Sequence, residues 1–249
     1  MNLIKSKKDI ELIKKACDIW KLVREAITAN VKIGLSLNEL DLIAKKTIEE
    51  NNGTSAFYKY LNFPKNICIS VNDCLIHGVP NDYCLKDGDM VTFDVGVKYE
   101  NHFCDAAFTI IIGNASAETK RINEICYNSL MKAIEIIKPG ILTSDIASVV
   151  QDYTEANGYE LIRNFTGHGC GNKIHEDPII PNYRSSFFKK EKLLSGMVIC
   201  IEPMTMTKSN KYYIDPKDNW SVMSLNKKIT CHWEHMILVT DTGYEILTK

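Results

Sequence analysis

The first half of the chain opens with two stretches in which apolar residues recur at helical spacing. The first covers residues 6–29 and ends before a break near Gly34. The second covers 37–51, and Ser36 and Glu39 stand at its start in the spacing of a capping box. These patterns predict two amphipathic helices, followed by a strand over 67–71.

The second half begins in the same way. A long helical pattern covers 119–138 and is broken by a Lys-Pro-Gly sequence. Thr143 or Ser144 can cap a further helix that runs to about residue 157, where Gly158 ends it.

Two pairs of segments suggest that the second half repeats the first. Residues 31–53 resemble residues 137–158, and residues 85–94 resemble residues 193–202, at offsets of about 106 to 108 residues. Two matches in the same order at nearly the same offset predict a duplicated α+β unit. We therefore expect a single catalytic domain over 1–249, with halves of about 1–118 and 119–249.

The most unusual segment is a pair of apolar strands, 91–97 and 103–108, joined by a polar turn. Each strand carries one acidic residue, Asp94 in the first and Asp105 in the second. A carboxylate inside a buried strand is costly unless it is paired or binds a metal, and two on adjacent strands repel each other. The hairpin therefore predicts a metal site, because divalent ions favour carboxylate oxygens.

The internal repeat extends this site. It aligns Asp94 with Glu202 and Asp105 with Glu234, and both glutamates lie in apolar segments. Four carboxylates directed to one centre are suited to a pair of divalent ions about 3.5–4 Å apart.

Three histidines are candidates for the same site. His168 lies in a glycine-rich segment that lets the backbone approach a ligand closely, and it would favour transition metals. Taken alone, that segment could equally be a structural turn. His77 and His175 lie in loops beside strands and could donate hydrogen bonds to a substrate carbonyl. The remaining histidines, His102, His232 and His235, are expected to have no role in the site.

Composition narrows the classes of protein to consider. A net charge of -1 gives no reason to expect a nucleic-acid or membrane partner, and no apolar run is long enough to span a bilayer. The charged N-terminal stretch lacks the apolar core of a secretory signal, so we expect a cytoplasmic protein. Nine cysteines without C-x-x-C spacing indicate reduced thiols, and Cys170 has no evident base that would make it a catalytic thiol.

Five motifs together resemble the type I methionine aminopeptidases in their short bacterial form. They are FPKNICISVNDCLIHGVP, DVGVKYENHFCDAAFT, GHGCGNKIHEDPIIPNY, ICIEPM and WEHMILVT, in family order and with family-like spacing. The resemblance covers nearly the whole chain. It implies an α+β fold of the pita-bread (creatinase/aminopeptidase) type, with two pseudosymmetric halves around a central dimetal site.

The resemblance also implies roles for the candidate residues. Asp94 and Asp105 hold one divalent ion, Asp105 and Glu234 bridge to the second, and His168 and Glu202 complete it. The metal could be Co, Mn, Fe or Zn. Three residues are implied to be catalytic: Glu202 as general base, with His77 and His175 steadying the substrate.

A methionine pocket is implied as well, formed by Tyr60, Phe63, Cys68 and Trp220, with His77 and His175 as further substrate-binding residues. Without the resemblance, the preferred interpretation of the segment from Tyr60 to Cys68 is ordinary core. Three positions depart from the family pattern. Phe63 stands where tyrosine is common, Asn62 where glycine is usual, and Ile174 where an aromatic residue is common.

The function implied is metal-dependent removal of the initiator methionine from nascent proteins and peptides with a small second residue. The implied partners are nascent polypeptide N-termini, at the ribosome, and the implied state is a monomer. Two alternatives stay open: an X-Pro aminopeptidase or prolidase, and a non-catalytic binding module of the same fold.

Overall fold

The structure is a computed structural model that describes residues 3–249. Met1 and Asn2 lie outside the described residues. They begin the N-terminal stretch that we expect to lack a secretory signal. The helices are α1 (Lys7–Asn30), α2 (Leu37–Glu50), α3 (Ala117–Glu135) and α4 (Thr143–Ala156), with a short 3-10 helix at Tyr60–Asn62. The strands are β1 (Thr54–Ser55), β2 (Cys68–Val71), β3 (Cys74–Ile76), β4 (Met90–Tyr99), β5 (His102–Ile111), β6 (Tyr159–Leu161), β7 (Gly167–Gly169), β8 (Glu176–Ile180), β9 (Val198–Ile201), β10 (Met204–Thr207), β11 (Tyr212–Ile214), β12 (Val222–Ser224), β13 (Thr230–His232), β14 (His235–Val239) and β15 (Tyr244–Ile246).

Two antiparallel sheets carry the predicted site. In the first, β4 pairs with β5 along its whole length and with β1 and β2 on its other edge. The second has the order β15-β14-β9-β7-β8. Two three-stranded sheets, β13-β10-β6 and β11-β12-β3, complete the described chain.

Both faces of the central β4–β5 hairpin are buried: one carries the two predicted acidic residues, and the other packs in the apolar core. Asp105 lies opposite Gly96 in the pairing of β4 with β5, so Asp94 and Asp105 point to the same side. The other side carries apolar residues such as Phe93 and Val95, which pack against α1 in the main core. The Trp20 indole of α1 donates a hydrogen bond to the Ala106 carbonyl at 3.0 Å, which fastens the helix to the hairpin.

The predicted capping box is present at the start of α2 in the first half, whereas the predicted cap of α4 in the second half is not. Ser36 and Glu39 form the predicted capping box at the start of α2. The expected cap of α4 by Thr143 or Ser144 is wrong, because the N-cap is Leu142, whose N–H donates to the Asp145 carboxylate at 2.9 Å. The Thr143 hydroxyl instead accepts a hydrogen bond from the backbone of Glu191, outside the helix.

Each half contributes two helices followed by the strands that lead to the predicted acids. The helices α3 and α4 of the second half pack in a separate core against β8, β9 and β14, through residues such as Ile199 and Ile237. The duplication, with its boundary near residue 118, stays a prediction. None of the helices within residues 3–249 combines the length and apolar character needed to cross a bilayer.

Candidate metal centre

The four predicted carboxylates meet at one place, although they come from four separate strands or strand ends. Asp94 and Asp105 project from β4 and β5, Glu202 directly follows β9, and Glu234 directly precedes β14. Ligand atoms of Asp94, Asp105 and Glu234 all lie within 4.8 Å of one another. The structure therefore brings the predicted carboxylates to one place.

His168 joins the cluster from the second half. Its Nε2 lies 3.5 Å from Glu202 Oε1 and 3.8 Å from Asp105 Oδ2. Its Nδ1 lies 2.9 Å from the Gly169 carbonyl, to which it donates a hydrogen bond in the tautomer that leaves Nε2 free to bind a metal.

The glycines around His168 are required by the tight packing of β7 between β9 and β8. A Cβ at Gly167 would lie 2.3 Å from the Cys200 carbonyl oxygen. A Cβ at Gly169 would lie 2.1 Å from the Asp177 carbonyl oxygen. The glycine-rich segment therefore lets the backbone carry an imidazole into the centre of the sheet.

The cluster is electrostatically incomplete without a cation. Asp94 Oδ1, Asp105 Oδ1 and Glu234 Oε1 are buried and have no hydrogen-bond partner among the described residues. Burial raises the pKa of Asp94 to about 6. Burial, followed by repulsion from neighbouring carboxylates, raises the pKa values of Asp105, Glu202 and Glu234 well above their ordinary range. Unpartnered, mutually repelling carboxylates beside a histidine fit divalent ions with mixed oxygen and nitrogen ligands.

His175 lies on the open side of this centre. Its Nε2 is 4.0 Å from Asp105 Oδ2, and its ring centroid is 4.4 Å from that of His168. Its Nδ1 is 3.1 Å from the Tyr60 hydroxyl, within hydrogen-bond distance. Tyr60 therefore contacts a predicted catalytic histidine and also lines the pocket, a double role that the sequence did not reveal.

His77 lies at the other wall of the same opening. Its ring packs edge-on against Phe165 and Trp220, with centroid separations of 5.8 and 6.2 Å. Burial lowers the pKa of His77 to about 4, so the imidazole is neutral at pH 7. A neutral imidazole can donate one hydrogen bond to a substrate without adding charge to the centre.

A cavity of about 230 Å³ opens from the carboxylates. All the predicted pocket residues line it: Tyr60, Phe63, Cys68, His77, His175 and Trp220. The sequence did not reveal five further apolar residues of its wall: Phe57, Leu61, Ile76, Phe165 and Met204.

Phe57 reaches the cavity because Gly96 leaves room for it. A Cβ at Gly96 would lie 2.5 Å from the Phe57 ring, so the ring packs directly on the backbone of β4. Ile174, a departure from the family pattern, is buried in the same cluster as Phe57 and Phe63. Asn62 has a φ of 70°, a left-handed conformation that asparagine tolerates better than most residues, which explains why it can replace glycine.

One histidine set aside in the sequence analysis belongs to the site. His232 is buried, and its Nε2 lies 3.5 Å from Glu202 Oε2. The sequence analysis did not predict this proximity, which arises because pairing of β13 with β10 brings the His232 side chain to Glu202. The other two histidines lie elsewhere: His102 pairs with Asp9, and His235 contacts the Thr248 hydroxyl.

The cysteines are free thiols, as the sequence predicts. Cys170 is buried, and burial raises the pKa of its thiol. This environment is the opposite of that of a nucleophilic cysteine. Cys200 lies closer to the centre, with its Sγ grouped with His168 and Glu234 among possible ligand atoms.

Two α+β halves around a buried cluster of carboxylates and histidine define the pita-bread class of metal-dependent hydrolases. The chain belongs to metallopeptidase family M24, whose sequence profile matches residues 11–241, in the branch whose members are named methionine aminopeptidase. The methionine aminopeptidase of Mycoplasmoides gallisepticum is 39% identical over 100% of both chains.

Solved structures agree with this placement. The crystal structure of methionine aminopeptidase from Rickettsia prowazekii matches with a TM-score of 0.94 at 33% identity, covering 99% of each chain. The prolidase from Pyrococcus furiosus matches with a TM-score of 0.80 at 27% identity, covering 99% of this chain and 65% of that one. The predicted fold and the predicted family are confirmed.

Proposed function

We propose that this protein removes N-terminal methionine from peptides and nascent proteins, using divalent ions held at the carboxylate cluster. One observation carries the proposal: an apolar cavity ends directly at Asp94, Asp105, His168, Glu202 and Glu234. A side chain held in that cavity would place the adjacent peptide bond at the cluster.

The five residues of this cluster would hold two divalent ions. Ions bound there polarise the substrate carbonyl and lower the pKa of water to about 7. We assign Glu202 as the general base, because its carboxylate lines the cavity beside the other candidate ligands, where it can accept a proton from attacking water.

The two histidines at the opening would orient the peptide. His77 presents a neutral imidazole beside the pocket wall, and His175 is held by Tyr60 on the opposite side. Hydrogen bonds from fixed imidazoles to the scissile amide would stabilise charge as it develops on the carbonyl oxygen.

The cavity is chemically suited to a methionine side chain. Phe63 and Trp220 meet edge-on with ring centroids 5.2 Å apart, and the Cys68 thiol lies in the same cluster. A flexible thioether makes favourable contacts with aromatic rings and with sulfur. A charged or branched first residue would gain less from these walls.

The alternatives are less well supported. The prolidase of Pyrococcus furiosus shares the fold, but it is 27% identical with a TM-score of 0.80, against 33% identity and a TM-score of 0.94 for the Rickettsia prowazekii methionine aminopeptidase. A non-catalytic module would have no need to retain five suitable ligand residues and both histidines. We further propose a monomer that acts in the cytoplasm on chains emerging from the ribosome.

The test is hydrolysis of two peptides, Met-Ala-Ser and Met-Leu-Ser, by metal-stripped protein before and after addition of Mn²⁺ or Co²⁺. The proposal predicts release of methionine from the first peptide only, and only with metal. Cleavage of a Met-Pro peptide in preference to Met-Ala-Ser would favour the X-Pro peptidase. No release from any peptide, with metal shown to bind, would favour the binding module.

A further inference from the structure

The His232 side chain is the least satisfied polar group near the centre. It is 1% exposed, and neither ring nitrogen has a hydrogen-bond partner among the described residues. Buried polar groups in proteins are nearly always paired, because leaving one unpaired destabilises the fold. An imidazole retained at this cost is expected to have a function.

The backbone of His232 is held in place by the central hairpin. Its carbonyl accepts a hydrogen bond from the Thr109 hydroxyl at 2.7 Å, and Thr109 in turn contacts the Thr92 hydroxyl at 2.8 Å. On its other side, His232 pairs with Met204 across β13 and β10. The ring is therefore directed at its neighbours by a fixed strand and not by a mobile loop.

The neighbour it meets is the proposed general base. Glu202 lies between two imidazoles, with Oε1 3.5 Å from His168 Nε2 and Oε2 3.5 Å from His232 Nε2. The Asn182 side-chain amide donates to the Glu202 carbonyl at 2.9 Å, which fixes the backbone at the same residue. A closure of about 0.5 Å brings the contact between His232 and Glu202 into the usual hydrogen-bond range.

The geometry excludes two other roles for this histidine. His232 does not line the cavity, so it does not contact the substrate side chain. It is also absent from the three groups of possible ligand atoms found among the described residues. The direct contact that it makes with the centre is the one with the Glu202 carboxylate.

We propose that His232 is a positioning residue that donates its Nε2–H to Glu202 Oε2 and so directs Oε1 towards His168. Without this donor, the Glu202 carboxylate can rotate. Rotation would weaken its binding of a metal ion and its action as a general base. The expected effect on catalysis rests on the proposed function, whereas the expected effect on metal binding does not. Partners that orient metal ligands in this way are typically worth about 10- to 100-fold in metal affinity or activity.

The test compares three variants with the wild-type protein. His232→Ala removes the donor, His232→Phe fills the space without a donor, and His232→Gln restores an N–H donor of similar reach. His235→Ala is the matched control, because His235 is also buried, on the next strand, but contacts Thr248 instead. Each protein is titrated with Co²⁺ while its visible absorption is recorded, and kcat and KM are measured on Met-Ala-Ser.

We expect His232→Ala and His232→Phe to bind Co²⁺ about 10- to 100-fold more weakly, with an altered visible spectrum and a lower kcat at similar KM. We expect His232→Gln to recover most of the affinity and the wild-type spectrum. His235→Ala should lower Tm but leave the spectrum unchanged.

Two results would overturn the inference. One is wild-type Co²⁺ affinity and spectrum in His232→Ala. The other is equal impairment of His232→Gln and His232→Phe, since a donor would then make no difference. If the wild-type protein itself releases no methionine, the proposed function fails, but the Co²⁺ titration still decides the role of His232.

Discussion

Removing one of the buried carboxylates should stabilise the metal-free protein, although it disables the site. Asp94 is the clearest case, because its Oδ1 is buried with no hydrogen-bond partner in residues 3–249 and burial raises the pKa of its carboxyl to about 6. The substitution Asp94→Asn keeps the size of the side chain and removes its charge. Native proteins often carry such unfavourable groups where function requires them.

The magnitude follows from the difference in pKa between the folded and unfolded states. The ordinary value for this carboxyl is 3.8 and the folded value about 6, so the folded protein binds this proton more tightly than the unfolded chain. Stability is therefore lost as the pH rises from about 4 to above 6. At pH 7, a shift of about two units corresponds to up to about 3 kcal/mol, since one unit equals about 1.4 kcal/mol.

The assay is thermal unfolding of chelator-treated protein at pH 7 and at pH 4.5. A chain of this size changes Tm by about 2–4 °C per kcal/mol, so Asp94→Asn should raise Tm at pH 7 by up to about 6–12 °C. At pH 4.5 the gain should be much smaller, because the folded wild-type protein is then protonated at Asp94. Asp18→Asn, an exposed aspartate on α1, is the control and should change stability by less than about 0.5 kcal/mol.

Added metal should make the wild-type protein more stable than Asp94→Asn. A divalent ion at 1,000 times its Kd adds about 4.1 kcal/mol to the wild-type protein, which exceeds the gain of up to about 3 kcal/mol from the substitution, and Asp94→Asn should gain much less from metal. The reasoning would be refuted if Asp94→Asn melted at a lower temperature than wild type in chelator at pH 7. It would also fail if the effect were the same at both pH values.

Three further variants test the site residue by residue. Glu202→Gln should lower kcat on Met-Ala-Ser by at least about 100-fold, while the metal-free protein melts no lower than wild type, because burial also raises the pKa of this carboxyl. Near-normal turnover would rule Glu202 out as base. Tyr60→Phe removes the 3.1 Å contact between the tyrosine hydroxyl and His175, at a cost of about 1 kcal/mol, and should therefore lower kcat/KM about 5-fold. An unchanged kcat/KM and an unchanged pH–rate profile would show that this contact does not contribute to the reaction. Gly96→Ala places a methyl group 2.5 Å from the Phe57 ring, so it should lower the free energy of unfolding by about 1–3 kcal/mol and raise KM. An unchanged KM would exclude Phe57 from the substrate pocket.

The sequence predicts the parts of this protein that depend on local pattern. The hairpin follows from two apolar strands around a polar turn, and the turn residues Glu100 and Asn101 do adopt left-handed conformations. Asp94 and Asp105 could be assigned to one site because a carboxylate in a buried strand is costly unless it is paired or binds an ion.

The remaining features depend on contacts between distant segments. His232 looks incidental in the sequence, since nothing near it in the chain shows that β13 faces Glu202. Phe57 becomes a pocket residue only because Gly96, on another strand, has no side chain. The cap of α4 was missed because Thr143 forms a hydrogen bond with a loop that lies far along the chain.

The most direct test of the account is a crystal of the protein grown with Mn²⁺ and measured at a wavelength where manganese scatters anomalously. We expect two anomalous peaks within the ring formed by Asp94, Asp105, His168, Glu202 and Glu234, with Asp105 and Glu234 contacting both. An empty ring in a crystal that binds manganese elsewhere would contradict it, as would ions held by other residues.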